Sequence, residues 1–279
     1  VFVSHHHVDH FVGLDRIVRA NADRDKTLHV FGPANTIRKV FDRVKSYEYP
    51  FFAFQKLAIR VTELLPGSTR TGTIEFAKKL PEPDVRELPW AGRVCYETEF
   101  LTVEAAHADH TVPCLSYALT EKPGFHPVPE KLETGLLRPG EWVAEALRLL
   151  RSNAAPETTL DIQGGSFPLA TLAKAYFAES PGARVAFVTD TFWSDAVRPE
   201  LAKLAKGAWR LYCDSFYAAA QAKQAAQFKH MLAPQAAELA KLARVEQLVL
   251  IHFSTRYAGK YETLVDEARA VFPRVTAEI

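Results

Sequence analysis

Four short apolar runs punctuate the chain: Val1-Phe2-Val3, Leu101 to Ala106, Val185 to Val188 and Leu248 to Ile251. Each is too short for a helix and rich in Val, Leu, Ile or Phe, so each is expected to be a buried strand. Between and after them lie segments with helical spacing. Phe11 to Ala22 keeps Val12, Ile17 and Val18 broadly on one side, and Asn35 to Tyr47, after a Gly-Pro start, carries Ile37, Val40, Phe41 and Val44 on one face. Glu141 to Arg151, Pro168 to Glu179, Ala218 to Ala243 and Lys260 to Val271 read the same way, with a break expected at Pro234. Ser68 to Thr98, punctuated by Pro81, Pro83 and Pro89, reads as shorter strands and turns. Lys122 to Gly140, rich in Pro and Gly, reads as an exposed connector. Strands alternating with helices predict an α/β layered fold, and no repeat or low-complexity segment interrupts it.

Composition narrows the class. The 279 residues include 34 basic and 33 acidic side chains for a formal net charge of +1, with 48% apolar and 24% charged residues, the balance of an ordinary globular protein. Near-zero charge argues against generic nucleic-acid binding and leaves room for a local basic groove. No apolar run approaches the ~18–20 residues that span a bilayer, so no membrane contact is expected. No signal peptide is expected from the residues ahead of the first motif, and an address upstream of them stays open. Cys95, Cys114 and Cys213 lack paired spacing, so neither a disulfide framework nor a cysteine zinc site is expected, and a reducing cytoplasm fits.

The densest chemistry is Ser4-His5-His6-His7-Val8-Asp9-His10. In a loop leaving a strand, His5 and His7 point to one side while Asp9 and His10 curl back to face them. His6 and Val8 then face away. Imidazole nitrogens and a carboxylate suit zinc, with manganese or iron as alternatives. A tag scar would be a longer unbroken run in a polar linker, whereas Val8-Asp9 interrupts this one and apolar residues flank it.

Further donors follow the other apolar runs: His107-Ala-Asp-His110 after the second, Asp190 after the third and His252 after the fourth. A polar ligand inside a strand would sit in the dry core at high cost, while one just past the strand end lines a mouth. Taken singly, such an Asp also suits a helix cap and such a His a solvated surface. Three instances beside the opening cluster favour a two-metal site, with Asp190 able to bridge through its two oxygens.

These motifs resemble the metallo-β-lactamase fold superfamily and, more closely, the ribonuclease Z family of transfer-RNA 3′-processing endonucleases. The carriers are Ser4-His-His-His-Val-Asp-His10 with Gly13-Leu14 behind it, His110-Thr-Val-Pro113 with Tyr117, Val188-Thr-Asp-Thr191, and His252-Phe-Ser-Thr-Arg-Tyr257. They run in the family's order over nearly the whole chain. The resemblance implies an αββα sandwich forming one domain over residues 1–279. The resemblance further implies that this sandwich is N-terminally incomplete, because the family places several strands before the histidine motif. The resemblance also implies two divalent ions, most readily zinc: His5, His7 and His110 hold one, Asp9, His10 and His252 the other, and Asp190 bridges. His110 is preferred to His107 because Pro113 and Tyr117 follow it with the family spacing.

By the same resemblance His230 is the proton donor to the leaving oxygen, oriented by Asp214, and Asp9 helps orient the nucleophile. Ser254 and Arg256 are placed to contact substrate phosphate, although they equally suit packing and a surface ion pair. A phosphodiester substrate, a transfer-RNA precursor among them, and a homodimer are implied. Residues 122–151 occupy the place of the family's RNA-binding arm but carry Leu136-Leu-Arg-Pro-Gly140 in place of the arm's signature. Two other readings remain at this stage: a relative acting on a small ester, lactone, thioester or cyclic nucleotide, and a non-catalytic metal- or RNA-binding scaffold.

Overall fold

The computed structural model describes residues 1–48 and 55–278. It divides into two compact units, one of residues 1–96, 103–119 and 184–279, the other of residues 97–102 and 120–183.

The first unit opens with residues 1–3, which lie alongside the first strand through a parallel Phe2–Phe31 bridge. Two helices follow, α1 (Val8–Phe11) and α2 (Gly13–Asn21), then β1 (Thr27–Gly32), α3 (Thr36–Lys45), β2 (Ala58–Leu65), β3 (Ser68–Glu75), β4 (Arg86–Pro89), β5 (Val94–Glu97), β6 (Leu101–Ala108) and β7 (Cys114–Glu121). The first four strands form a sheet in the order β1-β2-β3-β4, with β1 and β2 parallel. Val30, Ile59, Val61 and Ile74 alternate onto one face and bury the apolar sides of α2 and α3: Leu14, Val18, Ile37, Val40, Phe41 and Val44.

The second unit contains β8 (Gly124–Pro127), α4 (Pro129–Thr134), α5 (Glu141–Arg151), β9 (Thr159–Ile162), β10 (Gly165–Pro168), α6 (Leu169–Tyr176) and β11 (Phe177–Ser180). It has its own core, in which Trp142, Ala146, Leu160, Ile162, Leu172 and Tyr176 are buried together. The stretch read from sequence as an exposed connector thus contributes a strand and a short helix. Its prolines sit where they cost little, Pro127 at a strand end and Pro129 in the first turn of α4.

The chain returns to the first unit with β12 (Arg184–Val188), α7 (Arg198–Leu204), β13 (Arg210–Asp214), α8 (Ala222–Phe228), α9 (Ala233–Ala243), β14 (Gln247–Ile251), α10 (Glu262–Arg269) and β15 (Val275–Ala277). These strands complete a seven-stranded sheet in the order β15-β14-β13-β12-β7-β6-β5, and β12 to β15 run parallel. Leu201 and Leu204 of α7, Ala236, Leu239 and Ala240 of α9 and Leu264 of α10 bury the helix-facing side of this sheet. The two sheets meet through Phe2, Phe31, Tyr96 and Tyr117, whose ring centroids lie 5.2–6.3 Å apart. Helices therefore flank a pair of facing sheets. The long helical pattern from Ala218 does break, but just ahead of Pro234. Lys229 turns with φ 58° and Pro234 sits in the first turn of α9, where its missing N–H goes unmissed.

Candidate metal centre

Parallel strands deliver their C-terminal ends to one edge of a sheet, and that edge is where polar side chains reach solvent. β12 ends at Val188 and hands over Thr189-Asp190. β13 ends on Asp214. β14 ends at Ile251 and hands over His252. Asp190 and His252 both adopt left-handed backbone, φ 39° and 59°, which turns the chain sharply at the strand end. The histidine loop is held beside them from the other sheet: Leu115 N donates to Ser4 O at 2.9 Å and Tyr117 Oη to Val3 O at 2.8 Å.

Asp190 lies at the middle of the arrangement and is almost fully buried. Its Oδ2 is 3.6 Å from His5 Nε2 and 3.7 Å from His110 Nε2, and His110 Nε2 is 3.4 Å from His7 Nδ1. Its Oδ1 is 3.4 Å from His10 Nε2 and 3.3 Å from His252 Nδ1. Asp9 Oδ2 closes the second group at 3.3 Å from His10 Nε2 and 3.5 Å from His252 Nε2. One carboxylate thus offers one oxygen to each of two donor groups. Donors bound about 2.1 Å from a tetrahedral ion stand about 3.4 Å apart, close to these separations. Buried His5 Nε2 and His252 Nδ1 have no hydrogen-bond partner, and an orphaned imidazole nitrogen beside carboxylates is what a cation would satisfy. The donor set of imidazoles and carboxylates fits a divalent metal ion.

The electrostatics agree with the geometry. Burial and the neighbouring imidazoles push His5 down to about 2, so it is a neutral donor. Burial opposes charge on His252, but the carboxylates of Asp214, Asp190 and Asp9 outweigh it and raise the ring to about 9. That corner of the site attracts positive charge.

Asp214 and His230 stand beside the second group. His230 Nδ1 is 3.1 Å from Asp214 Oδ2, which also accepts Met231 N–H at 3.2 Å, while Asp214 Oδ1 accepts Phe216 N–H at 3.0 Å. Burial alone would raise Asp214, but His230 and His252 bring it down to about 2 and keep it ionised. The His230 ring stacks on Phe216, with centroids 4.3 Å apart and planes 16° apart.

His107 is exposed and stands outside the donor groups that include His110. His6 faces away: its Nε2 lies 2.9 Å from Thr36 Oγ1, and burial and then Lys39 lower it to about 4. Ser254 is buried two residues past His252. Arg256 is exposed, with its guanidinium 5.2 Å from the Tyr217 ring centroid. Three supporting groups escape sequence reasoning. Lys229 O, 3.0 Å from His110 Nδ1, fixes that ring so that Nε2 faces the cluster. Thr189 Oγ1 donates to Asp190 Oδ1 at 2.6 Å. Phe216 supplies the stacking plate. Adjacency to Asp190 and Asp214 would have pointed to Thr189 and Phe216, but a backbone carbonyl leaves no mark in sequence.

No protein-family model matches the chain. Whole-chain relatives do. A ribonuclease Z of Deinococcus radiodurans is 32% identical over 273 residues, covering 97% of this chain and 80% of the relative. A ribonuclease Z of Treponema denticola is 29% identical over 288 residues, covering 98% of this chain and 76% of the relative. Among solved structures, the metallo-β-lactamase fold protein YhfI of Bacillus subtilis superposes with TM-score 0.54 at 15% identity, covering 100% of this chain and 73% of the other. The short form of human tRNase Z superposes with TM-score 0.51 at 16% identity, covering 99% and 74%. These two likenesses show a metallo-β-lactamase fold.

Proposed function

The chain belongs to the ribonuclease Z family, and we propose that it is a metal-dependent endonuclease that cuts transfer-RNA precursors on their 3′ side. The observation that carries this is Asp190, whose two oxygens face two separate groups of donors. His5, His7 and His110 would hold one divalent ion, Asp9, His10 and His252 a second, and Asp190 both, zinc being the ion this donor set suits best. When bound, such ions lower the pKa of water toward neutrality and offset the charge of a phosphodiester.

The chain's own residues supply the rest. Asp9, exposed at the mouth, orients the attacking water. His230 gives a proton from Nε2 to the leaving oxygen as the phosphorus–oxygen bond breaks. Asp214 holds the Nδ1–H of that ring and stabilises the tautomer required. Ser254 and Arg256 contact phosphate oxygens on the substrate side. We take residues 1–279 as one catalytic domain, with 122–151 at the place of the family's RNA-binding arm, acting as a homodimer in the cytoplasm. Three free cysteines fit that compartment, and no helix among the described residues is long and apolar enough to cross a membrane.

The test is incubation with a 3′-extended transfer-RNA precursor beside a small chromogenic phosphodiester, with metal content measured in parallel. His7→Ala is expected to lose bound metal and hydrolysis of both substrates. Full activity in that variant would overturn the ligand assignment.

A further inference from the structure

A cleft of about 390 Å³ in the first unit lies outside the metal cluster. Its walls include Leu65 and Pro66 from the β2–β3 turn, Trp90 and Arg93 between β4 and β5, His107 near the end of β6, and Val197. Strand direction fixes its place. Residues 1–3 run parallel to β1, and β1 runs parallel to β2, so the histidine loop and Leu65 leave their strands at the same end. β6 delivers His107 and then, three residues later, His110, a span of at most about 10 Å. The cleft is therefore a close neighbour of the donor groups.

Its chemistry is specific. Trp90 is half-buried and its indole N–H is already satisfied by Val94 O at 2.9 Å, so the ring serves as an apolar plate. A backbone bond from Trp90 N to Gly67 O, 3.0 Å, fastens the β4–β5 loop to the β2–β3 turn, and one from Ala105 N to Arg93 O, 2.9 Å, fastens that loop to β6. Arg93 is engaged by Glu200 at 2.6 Å, a carboxylate that Lys203 shares at 2.9 Å, so the guanidinium is held against the wall of the cleft. His107 borders the cleft beside Leu65, and although the residue is exposed overall, the partial covering of its ring lowers its pKa, so it is a neutral edge. Apolar walls, an aromatic plate and a neutral imidazole suit an uncharged flat heterocycle.

Resting on the RNA-cleaving reading above, we propose that this cleft receives one nucleobase of single-stranded RNA beside the scissile phosphate, stacked on Trp90. Metal-loaded full-length protein is titrated with a labelled single-stranded oligoribonucleotide, and turnover is measured on the transfer-RNA precursor and on the chromogenic phosphodiester. Trp90→Ala is expected to weaken oligoribonucleotide binding by about fivefold to a hundredfold, the range for losing one base–aromatic stack. Trp90→Phe keeps most of the affinity, and turnover of the small ester is unchanged in both. His107→Ala, an exposed change, gives a milder loss and serves if Trp90→Ala does not fold. Unchanged oligoribonucleotide affinity in Trp90→Ala, or a parallel loss on the small ester, overturns the assignment. If the wild type cuts the precursor while Trp90→Ala binds RNA unchanged, only the cleft assignment fails. If the wild type neither binds nor cuts RNA, the RNA-cleaving reading falls with it.

Discussion

His230 depends on Asp214, and the reverse is less true. The carboxylate is fully buried, ionised and anchored by two backbone N–H groups as well as by the imidazole. Removing the ring should therefore leave the anchor and the donor groups standing. We expect His230→Ala to retain its metal and to lose about 10²–10⁴-fold in turnover on substrates with a poor leaving group. Substrates with a good leaving group should be nearly spared. Equal losses on both kinds would show that His230 does not protonate the leaving oxygen. At this scale much of the site was legible, because Asp190 and His252 each follow an apolar run and the opening motif crowds four donors together. The choice of His110 over His107 needed family spacing, since the two share one strand end. Lys229 was invisible because its contribution is a carbonyl.

Two contacts couple the elements to the site. A Cβ on Gly32 would meet Thr36 Oγ1 at 2.4 Å, and Thr36 is the stiff, buried residue that holds His6 at 2.9 Å and Pro33 O at 2.6 Å. Gly32→Ala should cost about 1–3 kcal/mol by overpacking and should also weaken metal retention, read as a lower melting temperature and a lower metal content. The N-terminus of α3 lacks a side-chain cap on Asn35, and the buried Glu63 carboxylate compensates by accepting Ile37 N–H at 2.9 Å. On the other side of α3, Arg43 pairs with Asp15, and this hydrogen bond lowers the Asp15 pKa. A depressed carboxylate contributes stability above its unfolded pKa and loses it as pH falls through the folded value. Asp15→Asn should therefore narrow the stability difference from wild type below about pH 4, with no more than about 1 kcal/mol at stake at neutral pH. Stability curves at pH 3 and pH 7 check this. The helices at 141–151 and around 36–45 and 262–269 were readable from their apolar spacing. β1 was not, because Thr27 and His29 dilute its apolar run, and β8 and α4 hide in a stretch whose prolines look like a connector.

For the molecule as a whole, the metal should act as a fastener between the two sheets, since His5 and His7 follow the strand beside β1 while Asp190 and His252 leave the seven-stranded sheet. An ion present at a hundred times its dissociation constant adds about 2.7 kcal/mol to the folded state. Chelation is expected to lower the melting temperature by several degrees, with recovery on re-addition of zinc. A melting temperature indifferent to chelator would argue against a bound ion. Layering and strand alternation announced the α/β class. The pairing of strands far apart in sequence did not, because register is set by contacts between segments that no local pattern records. His5 emerges from the ribosome first, whereas its counterpart His252 is made 247 residues later. A nascent chain that stops short of His252 already carries most of the donors yet lacks the closing one, so full metallation, and any cutting of RNA, must wait until His252 has been made.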